Sequence, residues 1–159
     1  MSDVREMSER VQHWTREGYE ITTDRARIDI DVVHRYLGVE SYWAKDIPRD
    51  VLERSIRNSM CFVTLHGGET VGFARVISDL ATMAYLGDVF VLPAHRGRGL
   101  SKWLMECIVA HPQLQGLRRL MLLTADAHGL YAQSGFTSLK KPERWMEKHD
   151  PDVYARLKV

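Results

Sequence analysis

Basic residues and glycines are interleaved in one short stretch of the chain, namely Arg96, Gly97, Arg98, Gly99 and Lys102. An apolar, β-type run precedes them and breaks at Pro93, and apolar residues at helical spacing follow from Leu100. Each cation in the first turn of a helix costs about 0.3–1 kcal/mol against the helix dipole, unless an anion is bound there. The pattern therefore favours a strand–turn–helix unit that binds phosphate. A solvated basic loop before an ordinary amphipathic helix is the competing interpretation.

Two familiar phosphate-binding loops do not fit this stretch. A Walker loop needs a lysine directly after its last glycine, and no glycine of the chain is followed by lysine. The dinucleotide-binding fingerprint needs a third glycine where Lys102 stands, and an acidic residue about 20 positions further on. Neither is present, which argues against a nucleoside triphosphate or a nicotinamide as the ligand.

Length and composition favour one globular domain. The 159 residues are 45% hydrophobic, and 22 Lys and Arg against 21 Asp and Glu give a formal net charge of +1. A chain this close to neutral is not expected to bind nucleic acid. Cys61 and Cys107 lie in apolar surroundings without a C-x-x-C pair, which indicates buried reduced thiols. The polar start of the chain predicts a cytoplasmic protein with no membrane partner, and the spacing of the histidines predicts no metal site.

Apolar periodicity and turn residues divide the chain into strands and helices. Strands are predicted at residues 19–23, 60–65, 70–77, 82–92 and 117–124, and helices at 28–37, from 48 onward and from 100 to about 111. Gly67–Gly68 predicts a hairpin inside a three-stranded meander, and the last of these strands is expected to return parallel through a helical crossover. Asp24 and Gly38 are expected to begin and end the first helix.

The two ends of the chain are less regular. Residues 1–18 are interpreted as an amphipathic helix or an added arm, residues 19–149 as the domain, and residues 150–159 as a tail without an evident partner. Asp126 is expected to cap a short helix that carries Tyr131 and ends at Gly135. Residues 136–139 and 144–148 are predicted to form closing strands.

Two stretches of the chain resemble the signatures of a known family. Residues 91–101, with Arg96, Gly97 and Gly99 in place, are similar to the acyl-CoA-binding signature [QR]-x-x-G-x-[GA] of the GNAT superfamily of N-acetyltransferases. Ser101 stands where glycine or alanine is usual. Residues 130–136, L-Y-A-Q-S-G-F, resemble the second signature, L-Y-x-x-x-G-F. Both occur in the right order and at the usual separation.

The resemblance implies a mixed α/β (α+β) domain with the acyl-CoA N-acyltransferase fold. In this fold an antiparallel meander precedes a parallel β-α-β crossover, and the central strands splay apart to admit the pantetheine arm of acetyl-CoA. No metal is implied. The residues implied to bind acetyl-CoA are Val89, Phe90, Val91, Arg96, Gly97, Arg98, Gly99, Leu100, Ser101, Lys102 and Asp126. Asp126 stands where the family often has asparagine.

Acetyl transfer to an amine needs a neutral amine, which a base or a water relay provides, and a proton for the departing thiolate. The resemblance implies that Tyr131 supplies the proton. Asp88, a lone carboxylate in an apolar strand, is the first candidate for a base, while an equally open interpretation has Arg75 or a backbone amide satisfy it. His128 is the second candidate because imidazole exchanges protons near neutral pH, although it is equally compatible with a surface position.

The resemblance also places the acceptor site under the first two helices and the loop between them. Candidates to line the site are Tyr42, Trp43, Arg75 and Tyr85, with Asp79 and Arg144 as further possibilities. We predict an acetyltransferase that moves the acetyl group of acetyl-CoA to a primary amine of a small molecule, by direct attack in a ternary complex. A noncatalytic acyl-CoA-binding sensor is the alternative, followed by acetylation of a protein or a charged tRNA. A homodimer is an open alternative for the assembly.

Overall fold

The structure is a computed structural model that describes residues 10–158. Its strands are β1 (His13–Arg16), β2 (Tyr19–Thr22), β3 (Met60–His66), β4 (Glu69–Ser78), β5 (Met83–Val91) and β6 (Arg119–Leu122). Its helices are α1 (Ile30–Arg35), α2 (Arg49–Arg57), α3 (Leu100–Ala110), α4 (His128–Ala132) and α5 (Val153–Leu157). A π-helical turn, Tyr36–Glu40, extends α1.

The strands form one six-stranded sheet in the order β1-β2-β3-β4-β5-β6. Each consecutive pair from β1–β2 to β4–β5 is antiparallel. Strand β6 pairs with β5 in parallel after the crossover through α3. The predicted meander, the Gly67–Gly68 hairpin and the parallel crossover are thereby confirmed. The domain has the mixed α/β architecture that the sequence predicts.

Two hydrophobic cores cover the two faces of the sheet. On one face, α3 packs its Leu104 and Ile108 against side chains such as Phe62 and Leu86. On the other face, a second core contains Val33 and Leu37 of the first helical region, Leu52 and Ile56 of α2, and Cys61, Phe73 and Phe90 of the sheet. Burial of apolar area on both faces stabilises the central strands. Cys61 and Cys107 are both buried, as predicted.

The interpretation of the N-terminal arm is wrong where the structure describes it. Residues 13–16 form β1, so the sheet begins before residue 19, and residues 1–9 lie outside the described part of the chain. The physical reason is a two-residue turn in which Glu17 and Gly18 have φ of 50° and 85°. Two positive φ values match the twist of a hairpin, so β1 pairs with β2 from Arg16↔Tyr19 onward.

The boundaries of the first helix also differ from the prediction. Asp29, not Asp24, caps α1 by accepting hydrogen bonds from the amides of Asp31 and Val32. Asp24 caps only a short 3-10 turn, Arg25–Arg27. Gly38 does not end the helix, because the π-helical turn continues to Glu40 and Ser41 closes it with a bond from its Oγ to Leu37 O.

The predicted closing strands do not form. Residues 137–152 are exposed and carry only the 3-10 turn Pro142–Arg144, since proline fixes φ and removes an N–H group from a strand ladder. The outer edge of β6 therefore has no partner strand within the described residues. A cavity of about 1270 Å³ lies between this edge and the C-terminal segment, and Arg144 lines it.

Candidate active site

The glycine turn before α3 presents a run of backbone amides. Gly97 and Gly99 adopt left-handed φ values of 79° and 72°, which turn successive N–H groups toward one side. Trp103 N to Gly99 O, at 3.0 Å, is the first hydrogen bond of α3. No described residue accepts a hydrogen bond from the six amides of residues 97–102. A Cβ at either glycine would meet no protein atom within 4 Å, so the turn faces open space.

The basic side chains around the turn have two different roles. Arg96 donates from Nε to Val91 O at 2.9 Å and from Nη2 to Tyr36 Oη at 3.0 Å, which holds the turn against the end of β5. Arg98 and Lys102 are exposed and form no ion pair with any described residue. These two cations are available for a negatively charged ligand.

The cleft between β5 and β6 starts where their pairing stops. The parallel register runs from Met83↔Arg119 to Leu86↔Leu122 and goes no further. At the other end of β5, Leu92 N donates to Val71 O at 2.8 Å, which is toward β4. Because main-chain groups alternate along a strand, the polar groups of Val89 and Val91 point the opposite way, into the cleft.

A β-bulge interrupts the pairing of β5 with β4 and bends β5. Arg75 faces Gly87 and Phe73 faces Phe90, so Asp88 and Val89 together lie opposite Ala74. Asp88 has a φ of 55°, which costs a residue with a side chain about 1–2 kcal/mol. The extra residue shifts the side-chain alternation and bends β5, which accounts for the splayed strands.

Asp88 is fully engaged by its neighbours. Its Oδ2 accepts from Arg75 Nε at 2.8 Å and its Oδ1 accepts from Trp43 Nε1 at 2.9 Å, and only 9% of the side chain is exposed. Arg75 Nη1 continues the chain of contacts to Ser59 Oγ at 3.1 Å. This geometry favours the interpretation in which Arg75 satisfies the carboxylate over its role as a base.

Residues 41–47, which we call the strap loop, cross the mouth of the cleft. Trp43 of this loop donates a hydrogen bond to Asp88 of β5. Tyr42 Oη accepts a hydrogen bond from Ala125 N, which lies 3.0 Å away beyond the end of β6. The two rings meet edge to face with centroids 5.0 Å apart. The strap loop thus joins the two strands where they no longer pair.

Tyr131 lies on α4, six residues after the strap-loop contact at Ala125, and lines the cavity beside β6. It is 8% exposed, and burial raises the pKa of its hydroxyl, with further contributions from Tyr42 and Asp126. No described residue is hydrogen-bonded to this hydroxyl. Tyr131 therefore stays protonated at neutral pH and has a donor available.

The other predicted site residues divide between the cavity beside β6, the second core and the β4–β5 turn. His128 is exposed and lines the cavity beside β6, which Tyr131 and Arg144 also line. Phe90 stacks on Tyr36 in the second core, with ring centroids 4.0 Å apart. Asp79 lies in the β4–β5 turn, where its carboxylate accepts hydrogen bonds from the Thr82 hydroxyl and from nearby amides. These bonds lower the pKa of Asp79.

The predicted cap of α4 is wrong. Ala127 is the N-cap residue and makes no side-chain bond, whereas Thr124 Oγ1 accepts from the amides of Asp126 and Ala127. The exposed Asp126 stays close enough to Tyr131 to influence its pKa. The sequence contained no signal for the bulge or for the Tyr42–Ala125 bond, since both depend on register between distant segments.

One protein family matches most of this chain. A family model described as the acetyltransferase (GNAT) family matches residues 11–136. The chain belongs to the GNAT family. Members of this family use acetyl-CoA.

Individual relatives agree with this assignment. The chain is 34% identical to a Gibberella zeae protein described as a candidate acetyltransferase, over 77% of this chain and 81% of that protein. It is 52% identical to a solved GNAT-family structure from Xanthomonas campestris pv. campestris, with a TM-score of 0.86 over 89% of this chain and 99% of that one. The Mycobacterium tuberculosis protein Rv2747, solved with CoA and NLQ, shares the fold at 21% identity and a TM-score of 0.54, over 72% and 71% of the chains.

The residues of this GNAT chain fit coenzyme A. Six amides without an acceptor, together with Arg98 and Lys102, match the chemistry of a diphosphate. The main-chain groups of Val89 and the N–H of Val91 match the amides of a pantetheine arm, because strand edges pair with such groups; Val91 O is occupied by Arg96 Nε. No helix in residues 10–158 is long and apolar enough to span a bilayer, and those residues contain no cluster of three or more potential metal ligands.

Proposed function

We propose that this GNAT protein transfers the acetyl group of acetyl-CoA to a primary amine of a small molecule, by direct attack in a ternary complex. The observation that carries the proposal is the run of six amides without an acceptor at residues 97–102, which leads through the cleft to Tyr131. Acetyl-CoA supplies an acetyl group that is activated as a thioester. The turn binds the diphosphate, and the edge of β5 orients the arm.

Tyr131 is the proposed donor to the departing sulfur. Its raised pKa keeps the proton on oxygen throughout the neutral range. With reference pKa values of about 10 for tyrosine and about 8.5 for a thiol, complete transfer is uphill by roughly 2 kcal/mol, before the raised value is considered. Tyr131 therefore acts mainly as a hydrogen-bond donor that stabilises the negative sulfur.

Deprotonation of the amine is assigned to water in the cleft. Asp88 has both oxygens engaged, and the exposed His128 makes no hydrogen bond to a described residue that would orient its ring. Loss of a proton from an alkylamine costs about 4–5 kcal/mol at pH 7, because its pKa is about 10.4. The proposed mechanism therefore predicts that kcat/KM for the amine rises with pH toward the pKa of the acceptor itself.

A thiol-release assay tests the function. Purified protein and acetyl-CoA are mixed with each member of a panel of small primary amines, and CoA is measured together with the acetylated product. Release that requires an amine and yields equal amounts of both products supports the transferase. Saturable binding of acetyl-CoA without turnover across the panel would instead support a noncatalytic sensor. A small-molecule partner and the absence of a nucleic-acid partner stay predictions, as does the homodimer.

A further inference from the structure

The end of the chain returns to the face of the sheet where Asp88 lies. Residues 137–152 are exposed throughout, and α5 then brings Val153 and Tyr154 back to partial burial. Tyr154 packs against the second core, the cluster beneath α1, α2 and the strap loop. Beyond α5, Lys158 Nζ lies 3.1 Å from Asp46 Oδ1 in the strap loop. The tail is therefore attached to the same loop that positions Trp43.

Trp43 contacts the Asp88 carboxylate directly, and tyrosines from two other elements lie in the same region of the sheet. Trp43 donates to Asp88 from the strap loop, and Tyr85 precedes it on β5, where its ring covers Gly87. Burial raises the pKa of both Tyr85 and Tyr154, and the charge of Asp88 adds to the effect in each case. Both tyrosines therefore stay neutral at physiological pH.

We propose that α5 is a wall of the acceptor site and that Tyr154 contacts the acceptor, which is a small amine carrying an apolar group. Aromatic faces attract organic ammonium ions and pack on hydrocarbon. The tail, fixed to the strap loop, closes this side to a polypeptide acceptor. The inference rests on the proposed function and adds Tyr154 as a residue that determines the acceptor.

The test uses the full chain with Tyr154→Ala, and phenethylamine as the acceptor. We expect KM for phenethylamine to rise about tenfold, the loss of one aromatic contact, while KM for acetyl-CoA is unchanged. Tyr154→Phe keeps the ring and is expected to retain the wild-type KM. Leu157→Ala, at a half-exposed position of the same helix, is the matched control and is expected to leave KM unchanged.

A charge exchange tests the attachment of the tail without altering Tyr154. Lys158→Glu opposes Asp46 and is expected to raise KM for phenethylamine by about two- to fivefold, the range for one exposed ion pair. Adding Asp46→Lys restores opposite charges and should return KM toward the wild-type value. Lys158→Glu alone is expected to increase the rate with a lysine-containing peptide relative to phenethylamine, and the double variant is expected to return that ratio toward the wild-type value.

Separate outcomes distinguish the two proposals. If the wild type acetylates phenethylamine and Tyr154→Ala leaves its KM unchanged, the role of α5 is overturned and the acetyltransferase function stands. If the wild type binds acetyl-CoA but acetylates no amine, both proposals fall. A loss of acetyl-CoA affinity in Tyr154→Ala equal to the loss for the amine would also overturn the role, because it would indicate a general structural defect.

Discussion

At the scale of single residues, Asp88 and Arg96 show that a conspicuous charge often has a structural partner. Asp88 joins Arg75 to Trp43, and Arg96 ties the glycine turn to Val91. The proposed hydrogen-bond donor is instead Tyr131, whose hydroxyl has no partner among the described residues. The sequence predicted Tyr131 from a short motif, but it left Asp88 undecided because its partners come from distant segments.

Tyr131→Phe removes the donor and keeps the ring. We expect kcat to fall about 10²-fold, which is the lower range for general acid catalysis, and acetyl-CoA affinity to change little. Initial rates and calorimetric titration measure the two quantities. An unchanged kcat would show that Tyr131 only packs beneath the cleft.

Asp88→Asn tests whether the carboxylate is structural. Removing one partner of a buried ion pair costs about 3 kcal/mol, so urea denaturation should show a large loss of stability. The control is Asp31→Asn, which breaks an exposed pair with Arg49 and should have little effect. A wild-type stability combined with a lost kcat would reinstate Asp88 as the base.

At the scale of elements, the site depends on the glycine turn, the bulge and the strap loop. The turn was predictable, because Gly97 and Gly99 mark it locally. The bulge at Asp88 was not, since it is defined by the register of β5 against β4. The strap loop was predicted to carry acceptor-site aromatics, but its bond to Ala125 exists only in the folded chain.

Alanine in the turn should separate binding from folding. Gly97→Ala and Gly99→Ala each force a left-handed φ on a residue with a side chain, at a cost of about 1–2 kcal/mol. Both should weaken acetyl-CoA binding at least tenfold, because the amides turn away. Gly116→Ala, with a φ of 71° far from the turn, carries the same strain and should bind normally. Equal binding by all three variants would remove the turn from the site.

His111 secures the end of α3 and makes stability depend on pH. Its buried ring bonds Arg10 O through Nε2 and accepts from Gln113 N at Nδ1, so the folded ring is neutral, and burial lowers its pKa. In the unfolded chain, the imidazole of His111 binds a proton below about pH 6.5. The free energy of unfolding therefore decreases as the pH falls below that value. Urea denaturation between pH 8 and 5 should show this loss, and His111→Gln should reduce the slope. An identical slope in the variant would contradict the assignment.

At the scale of the whole molecule, two cores fix the sheet so that the cleft stays open between β5 and β6. Hydrophobic patterning predicted the meander and the crossover, because apolar residues recur at strand or helix spacing in those segments. It failed at the ends of the chain. The turn at Glu17 and Gly18 extends the sheet by β1, while Pro142 and the polar residues around it leave the outer edge of β6 open.

Calorimetric titration of the intact protein with acetyl-CoA shows directly whether the glycine turn binds the coenzyme. We expect saturable heat for one molecule per chain, with an affinity that falls as salt screens Arg98 and Lys102. A folded protein that gives no heat at millimolar acetyl-CoA would show that the turn does not bind the coenzyme.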